Sequence, residues 1–165
     1  MDRKLETPKV KDILIKKVIA FRPDFTSFDA IRSFNESRIS TAPVVNDQNE
    51  VIGYLSESDC IRCLSNCLFF DESRYRTIDL IMSKKVAIAE SQWDIFELEN
   101  FFVTNHLRSA PVVDSENHLV GIVTRRDALI ALQKCMEERE EYKKDIKTPV
   151  ELNMKERIKM IVDRA

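Results

Sequence analysis

Two short hydroxyl–carboxylate pairs are the residues in this chain with the types and spacing to do chemistry: Ser56 with Asp59, and Thr124 with Asp127. A carboxylate accepts from two neighbouring hydroxyl groups at once, and the start of a helix offers unpaired N–H groups and partial positive charge. Such a pair at a helix N-terminus suits a sugar diol beside a phosphate. The same spacing is also that of a helix cap that closes on itself, and the residues alone support both readings. Cys60, Cys63 and Cys67 form a second candidate, a run at helical spacing that with Cys135 could ligate a metal. His106 is at most a ligand contact, and His118 falls in a turn.

The chain that positions these residues repeats itself. Residues 10–64 align with 78–132 without a gap, so that Ala42-Pro43-Val44-Val45 falls on Ala110-Pro111-Val112-Val113, Gly53 on Gly121 and Asp59 on Asp127. Cys60 and Cys63 then fall on Ala128 and Ala131, and Cys67 on Cys135, the pattern of small packing residues on a helix rather than of metal ligands. A structural disulfide is no better supported.

Each copy reads as strand, helix, strand, strand, helix. Short apolar strands are expected at Val18 to Phe21 and Val86 to Ala89. Helices follow, opened by capping boxes at Thr26/Asp29 and Asp94/Glu97, with Phe28, Ile31 and Phe34, or Leu98, Phe101 and Phe102, facing the core. A hairpin comes next, from Pro43-Val44-Val45 through Asn46 to Glu50 into Val51 to Leu55, with Asp114 to His118 as the second turn. The last helix of each copy is expected to bury Ile61, Leu64 and Leu68, or Leu129, Leu132 and Met136. Residues 65–77, with Leu68, Phe69, Phe70 and Tyr75, are too apolar for a solvated tether. The expected fold class is α+β: two pseudo-two-fold related repeats, over 10–68 and 78–136, each a small three-stranded sheet with two helices. A charged helical extension occupies 137–165. In it Glu140 and Lys144 are spaced as an ion pair, Thr148-Pro149 starts a new helix, and Val150, Met154, Ile158, Ile161 and Val162 share a face.

The A-P-V-V segment, the turn, and a strand ending G-x-x-[ST]-x-x-D, twice in register, resemble the tandem cystathionine-β-synthase-type (CBS) repeats, also called a Bateman module. The residues are Gly53 to Asp59 and Gly121 to Asp127. Proteins of this family, including the gamma subunit of AMP-activated protein kinase, bind adenine nucleotides or related adenosyl ligands between repeats. The resemblance implies that Asp59 and Asp127 hold ribose hydroxyls, that Ser56 and Thr124 lie near phosphates, and that two such pairs form a disc-shaped homodimer.

The second half-site carries Arg125 and Arg126, with His106, Arg108 and Ser109 before its A-P-V-V segment, whereas the first has Glu57. A phosphate-bearing ligand is therefore expected at the second, with Arg38, Ser40 and Thr41 at the equivalent positions as neighbours across the cleft.

With 165 residues, 44% hydrophobic and 33% charged, the chain can bury a core; 26 basic against 28 acidic residues leave a net charge of −2 and no general attraction to nucleic acid or membrane. No apolar run reaches the ~20 residues of a transmembrane helix, and the N-terminus lacks a signal peptide's apolar core, so a cytoplasmic location is expected. No nucleophile with its base, metal cluster or glycine-rich loop is visible. The reading is a non-catalytic module that requires no cofactor, binds AMP, ADP or ATP, and acts through a homodimer or a protein effector. The alternative is an interaction module that takes no ligand.

Overall fold

The computed structural model describes residues 7–70 and 76–142. The elements are α1 (Val10–Ile13), α2 (Ser27–Ser37), β1 (Thr41–Val45), β2 (Val51–Ser56), α3 (Glu57–Phe70), α4 (Ile78–Ile81), β3 (Ala89–Glu90), α5 (Ile95–Thr104), β4 (Ser109–Val113) and β5 (Leu119–Thr124). A last helix, α6, runs over 125–142.

The backbone repeats as closely as the sequence. Both expected capping boxes form, at Thr26/Asp29 and Asp94/Glu97. Both hairpins pair antiparallel, Thr41 opposite Ser56 and Ser109 opposite Thr124, with matching bulges after Val44 and Val112. The left-handed residues recur in step: Arg38 and His106 after the helices, Asn49 and Asn117 in the turns. Asparagine tolerates that conformation in a turn better than most residues.

The first strand of each copy is shorter than expected. In the second repeat β3 pairs parallel with β4 through Ala89 and Glu90 only; in the first, the equivalent is a single bridge from Phe21 to Val44. Residues 18–20 and 86–88 are not strand. Ala20, Val86 and Ile88 instead pack around Val45, Val51 and Val113, where the two hairpins meet.

The segments that lead into the repeats are exchanged. Ile15 pairs with Ile122 of β5, and Ser83 with Tyr54 of β2, each through two backbone hydrogen bonds of 2.8–3.0 Å. Val10 of α1 is fully buried in the core of the second repeat, with Leu98, Phe102 and Val112, while Ile78 of α4 is fully buried with Phe34, Val44 and Leu55 of the first. The chain's two glycines make room for this. A Cβ on Gly53 would sit 2.2 Å from Met82 Sδ, and one on Gly121 2.4 Å from Leu14 Cδ1 and 2.8 Å from the Ile15 carbonyl oxygen. Leu14 and Met82 are themselves equivalent positions.

Three expected core faces are corrected. In α2 the buried residues are Ser27, Ala30 and Phe34, while Phe28 is exposed. In α3 and α6 the buried face is Cys60 and Cys63, or Ala128 and Ala131; Leu132 packs against the second core as expected, but Ile61 is 63% exposed, Leu68 84%, Leu129 66% and Met136 58%. Helices that lie close over a small sheet present small side chains to it, so the bulky ones occupy the other face. Phe69 is exposed as well, so the end of α3 does not pack as expected. Tyr75 and the face from Val150 to Val162 lie outside the described residues; α6 continues through 137–142 without a break.

Candidate functional site

Ser56 ends β2 and Thr124 ends β5, so each hydroxyl residue stands where a strand gives way to a helix. Asp59 Oδ2 accepts from the Ser56 backbone N–H at 2.9 Å and from its hydroxyl at 2.6 Å, and Ser56 Oγ accepts from the Asp59 N–H at 3.3 Å. Thr124 and Asp127 repeat these contacts at 2.9, 2.6 and 3.2 Å. The cap is thus closed on itself with one carboxylate oxygen, and Oδ1 of each aspartate takes no protein hydrogen bond among the described residues.

The cap alone does not mark a site. Thr26 and Asp29 make the same closure, with a 2.6 Å hydroxyl contact, at an exposed helix start, and the Thr26 hydroxyl holds the Asp29 carboxyl below its ordinary range. What separates Asp59 from Asp29 is its surroundings.

Ser56, Ser58, Asp59, Arg62 and Tyr54 form one side of a cleft of about 370 Å³, within the size range of small-molecule sites. The rest of its lining comes entirely from the second repeat: Ser83, Lys85, Val86 and Ala87 in and after the exchanged segment, Leu107 before β4, and Ser109 and Pro111 on it. The cleft therefore offers an unpaired carboxylate oxygen, two cations, hydroxyls and an apolar wall. Ser109 stands with Ser56 and Asp59, across the repeat boundary from its own motif.

Asp127 lines a different groove, of about 390 Å³, between α1 and α6, with Asp12, Ile130, Lys134 and Glu138. Arg125 donates to the Phe102 carbonyl oxygen and shares with His106 a groove between α5 and α6. Arg108 and Arg126 are exposed, and the Arg108 carbonyl oxygen accepts from the Arg125 N–H; Ser40 likewise accepts from Glu57 at the start of α3. Arg38 is exposed at the left-handed end of α2. Thr41 and Ser109 meet between the repeats, Oγ1 to Oγ 3.0 Å.

Cys60 and Cys63 are buried, and loss of hydration pushes the Cys60 thiol up to about 11, with Asp59, Cys63 and Glu57 adding to the shift. Among the described residues no group of three or more His, Cys, Asp or Glu side chains could hold a metal ion, and no helix is long and apolar enough to cross a membrane.

The model of the CBS domain matches this chain twice, over residues 10–66 and 78–134. The chain belongs to the CBS-domain family. As a CBS pair it is 31% identical to the uncharacterized protein MJ1426 of Methanocaldococcus jannaschii, over 74% of this chain and 90% of that one. The CBS domain pair of protein MJ0100, solved in complex with 5-methylthioadenosine and S-adenosyl-L-methionine, superposes with a TM-score of 0.63 at 25% identity, covering 73% of this chain and 95% of that one. CBSX2, solved in complex with AMP, gives a TM-score of 0.68 at 20% identity over 76% and 96%; at that identity the likeness speaks for the fold.

Tyr54, Ser58, Arg62, Lys85, Leu107 and Pro111 escaped the sequence reading. The signal for two of them was present: Tyr54 and Arg62 stand where the second repeat has Ile122 and Ile130, so they break the repeat at the motif itself.

Proposed function

We propose that this CBS pair is a non-catalytic regulatory module that binds an adenosine-containing ligand, AMP, ADP or ATP, in the clefts between its repeats and signals by a change in conformation or assembly. The observation that carries this reading is Asp59, whose Oδ1 takes no hydrogen bond among the described residues, in a cleft lined by residues of both repeats. The ligands of the CBSX2 and MJ0100 structures, AMP, 5-methylthioadenosine and S-adenosyl-L-methionine, supply the chemical class.

In this reading Asp59 Oδ1 accepts from the ribose hydroxyls while Oδ2 keeps the cap closed. The N-terminus of α3, with Ser56, Ser58, Arg62 and Lys85, faces the phosphate. Val86, Ala87 and Leu107 offer an apolar place for the base. Thr124, Asp127, Ser40, Thr41, Arg108 and Arg126 belong to the second half-site, and Ser109 to the first. A ligand that touches both repeats binds best at one separation of them, and so shifts their relative position by its differential affinity.

Assembly is the second half of the reading. Ile61 and Leu68 on α3 and Leu129 and Met136 on α6 are large, exposed and at equivalent positions, which suits a self-complementary face covered by a second copy. The competing reading is an interaction module that takes no ligand. It is favoured by the identical cap at Thr26 and Asp29, which forms at an exposed helix start. A thermal-shift screen against adenosine, AMP, ADP, ATP, S-adenosylmethionine and cyclic dinucleotides separates the two. A selective rise with an adenosyl compound supports the sensor, and no rise with any of them overturns it.

A further inference from the structure

Three hydroxyl groups meet between the repeats. Besides the Thr41–Ser109 contact, the Tyr54 phenol donates to Thr41 Oγ1 at 3.1 Å and lies 3.0 Å from Ser109 Oγ. Three hydroxyls that close a ring use each proton once, so the phenol is held from both repeats and its aromatic ring is fixed in place. That ring lines the first cleft together with Asp59, and Ser109 lines it too.

The second repeat has no counterpart. Ile122 stands at the position equivalent to Tyr54, with no hydroxyl to anchor, and Ile130 stands at that of Arg62. The first cleft sets Arg62 and Lys85 beside Asp59, and the isoleucine at the position of Arg62 removes one of these cations from the second repeat.

We infer that Tyr54 makes the two clefts unequal: its anchored ring is the surface on which the base of a purine nucleotide lies, and the first cleft, not the one at Asp127, is the tighter site. The inference rests on the adenosyl-ligand reading above and adds the residue that sets the order of the sites. Base–aromatic contact tolerates different bases but not the loss of the ring, and pre-anchoring the ring lowers the cost of ordering it on binding.

The test is calorimetric titration of the full chain with AMP. The tighter binding event should disappear in Asp59→Ala and survive in Asp127→Ala. Tyr54→Ile, which installs the residue of the second repeat, should weaken that event about tenfold, the size of one base–aromatic contact. Tyr54→Phe, which keeps the ring and frees it, should weaken it by a smaller factor, and the Asp59-independent event should not move in either variant. A tighter event that depends on Asp127, or an unchanged one in Tyr54→Ile, overturns the inference and leaves the adenosyl-ligand reading standing. No binding of AMP to the unaltered protein overturns the inference, and no binding of AMP, ADP, ATP or S-adenosylmethionine overturns the adenosyl-ligand reading with it. If Tyr54→Ile fails to fold by circular dichroism, Tyr54→Phe and the two aspartate variants decide.

Discussion

Thr41 Oγ1 and Ser109 Oγ lie 3.0 Å apart, and the two residues occupy the same position in the two repeats. Two copies of one position can touch only beside the axis that relates the copies, so this hydrogen bond locates the pseudo-two-fold. It also explains how the site is built. Ser109 sits at the axis and lines the cleft of Ser56 and Asp59, and the walls of that cleft are divided between repeats.

In the proposed function Asp59 both caps a helix and holds the ligand whereas Asp29 only caps, so the pair separates capping from binding. Asp59→Ala and Asp29→Ala should lower thermal stability by comparable amounts, and only Asp59→Ala should lose the tighter AMP-binding event. Ser56→Ala should cost about 1 kcal/mol, as for other N-caps. Melting curves with and without AMP check this. Loss of AMP binding in Asp29→Ala would show that cap integrity, not ligand contact, is being measured.

The glycines should differ in what they tolerate. In Gly53→Ala the new Cβ meets the far end of Met82, an adaptable side chain, whereas in Gly121→Ala it meets Leu14 and the Ile15 backbone carbonyl. Gly121→Ala should therefore be the more destabilising, by about 1–3 kcal/mol, the usual cost of overpacking. Urea unfolding of both variants reads the order, and the reverse order would contradict the exchanged packing of residues 14 and 15 on β5.

The outward faces of α3 and α6 predict assembly. Ile61→Glu combined with Leu129→Glu places charge at two exposed apolar positions and should leave the monomer folded. Sedimentation should then show a dimer for the unaltered chain and a monomer for the double variant. An unchanged sedimentation coefficient would place any interface elsewhere.

Cys60 supplies a pH dependence. Its thiol is raised from the ordinary 9.0 to about 11, chiefly by burial. Because the folded value is the higher one, its contribution to stability is fully present below pH 9.0 and is lost as pH rises toward 11. Cys60→Ala, which copies Ala128 of the other repeat, should fold with a cost of about 1 kcal/mol or less and lose less stability across that window. In the unaltered native protein, Cys135 should react with a thiol reagent before Cys60. Equal rates would contradict the buried placement.

The duplication, both capping boxes, both hairpins and the two S/T-x-x-D helix starts were legible because each is written in neighbouring residues. The exchange of the leading segments was not, since a repeat aligns Val10 with Ile78 whichever core each enters. The inner face of α3 and α6 misled for a physical reason: close packing selects Cys60 and Ala128 over the larger Ile61 and Leu129, so the most apolar stripe is the outer one. Charge read along the chain does not show where each side chain goes. Arg125 is next to Thr124 in sequence, but its guanidinium goes to Phe102, and the cations of the first cleft, Arg62 and Lys85, come from different repeats.

The central claim is that the clefts of this CBS pair hold an adenosyl ligand through their aspartates. The most direct test is calorimetry with AMP on the unaltered chain and on an Asp59→Ala, Asp127→Ala double variant shown to melt cooperatively. The account predicts saturable binding to the first and none to the second. Equal binding to both, or no saturable heat with the unaltered protein at concentrations on the order of a millimolar, a weak-binding limit near −4 kcal/mol, would contradict it.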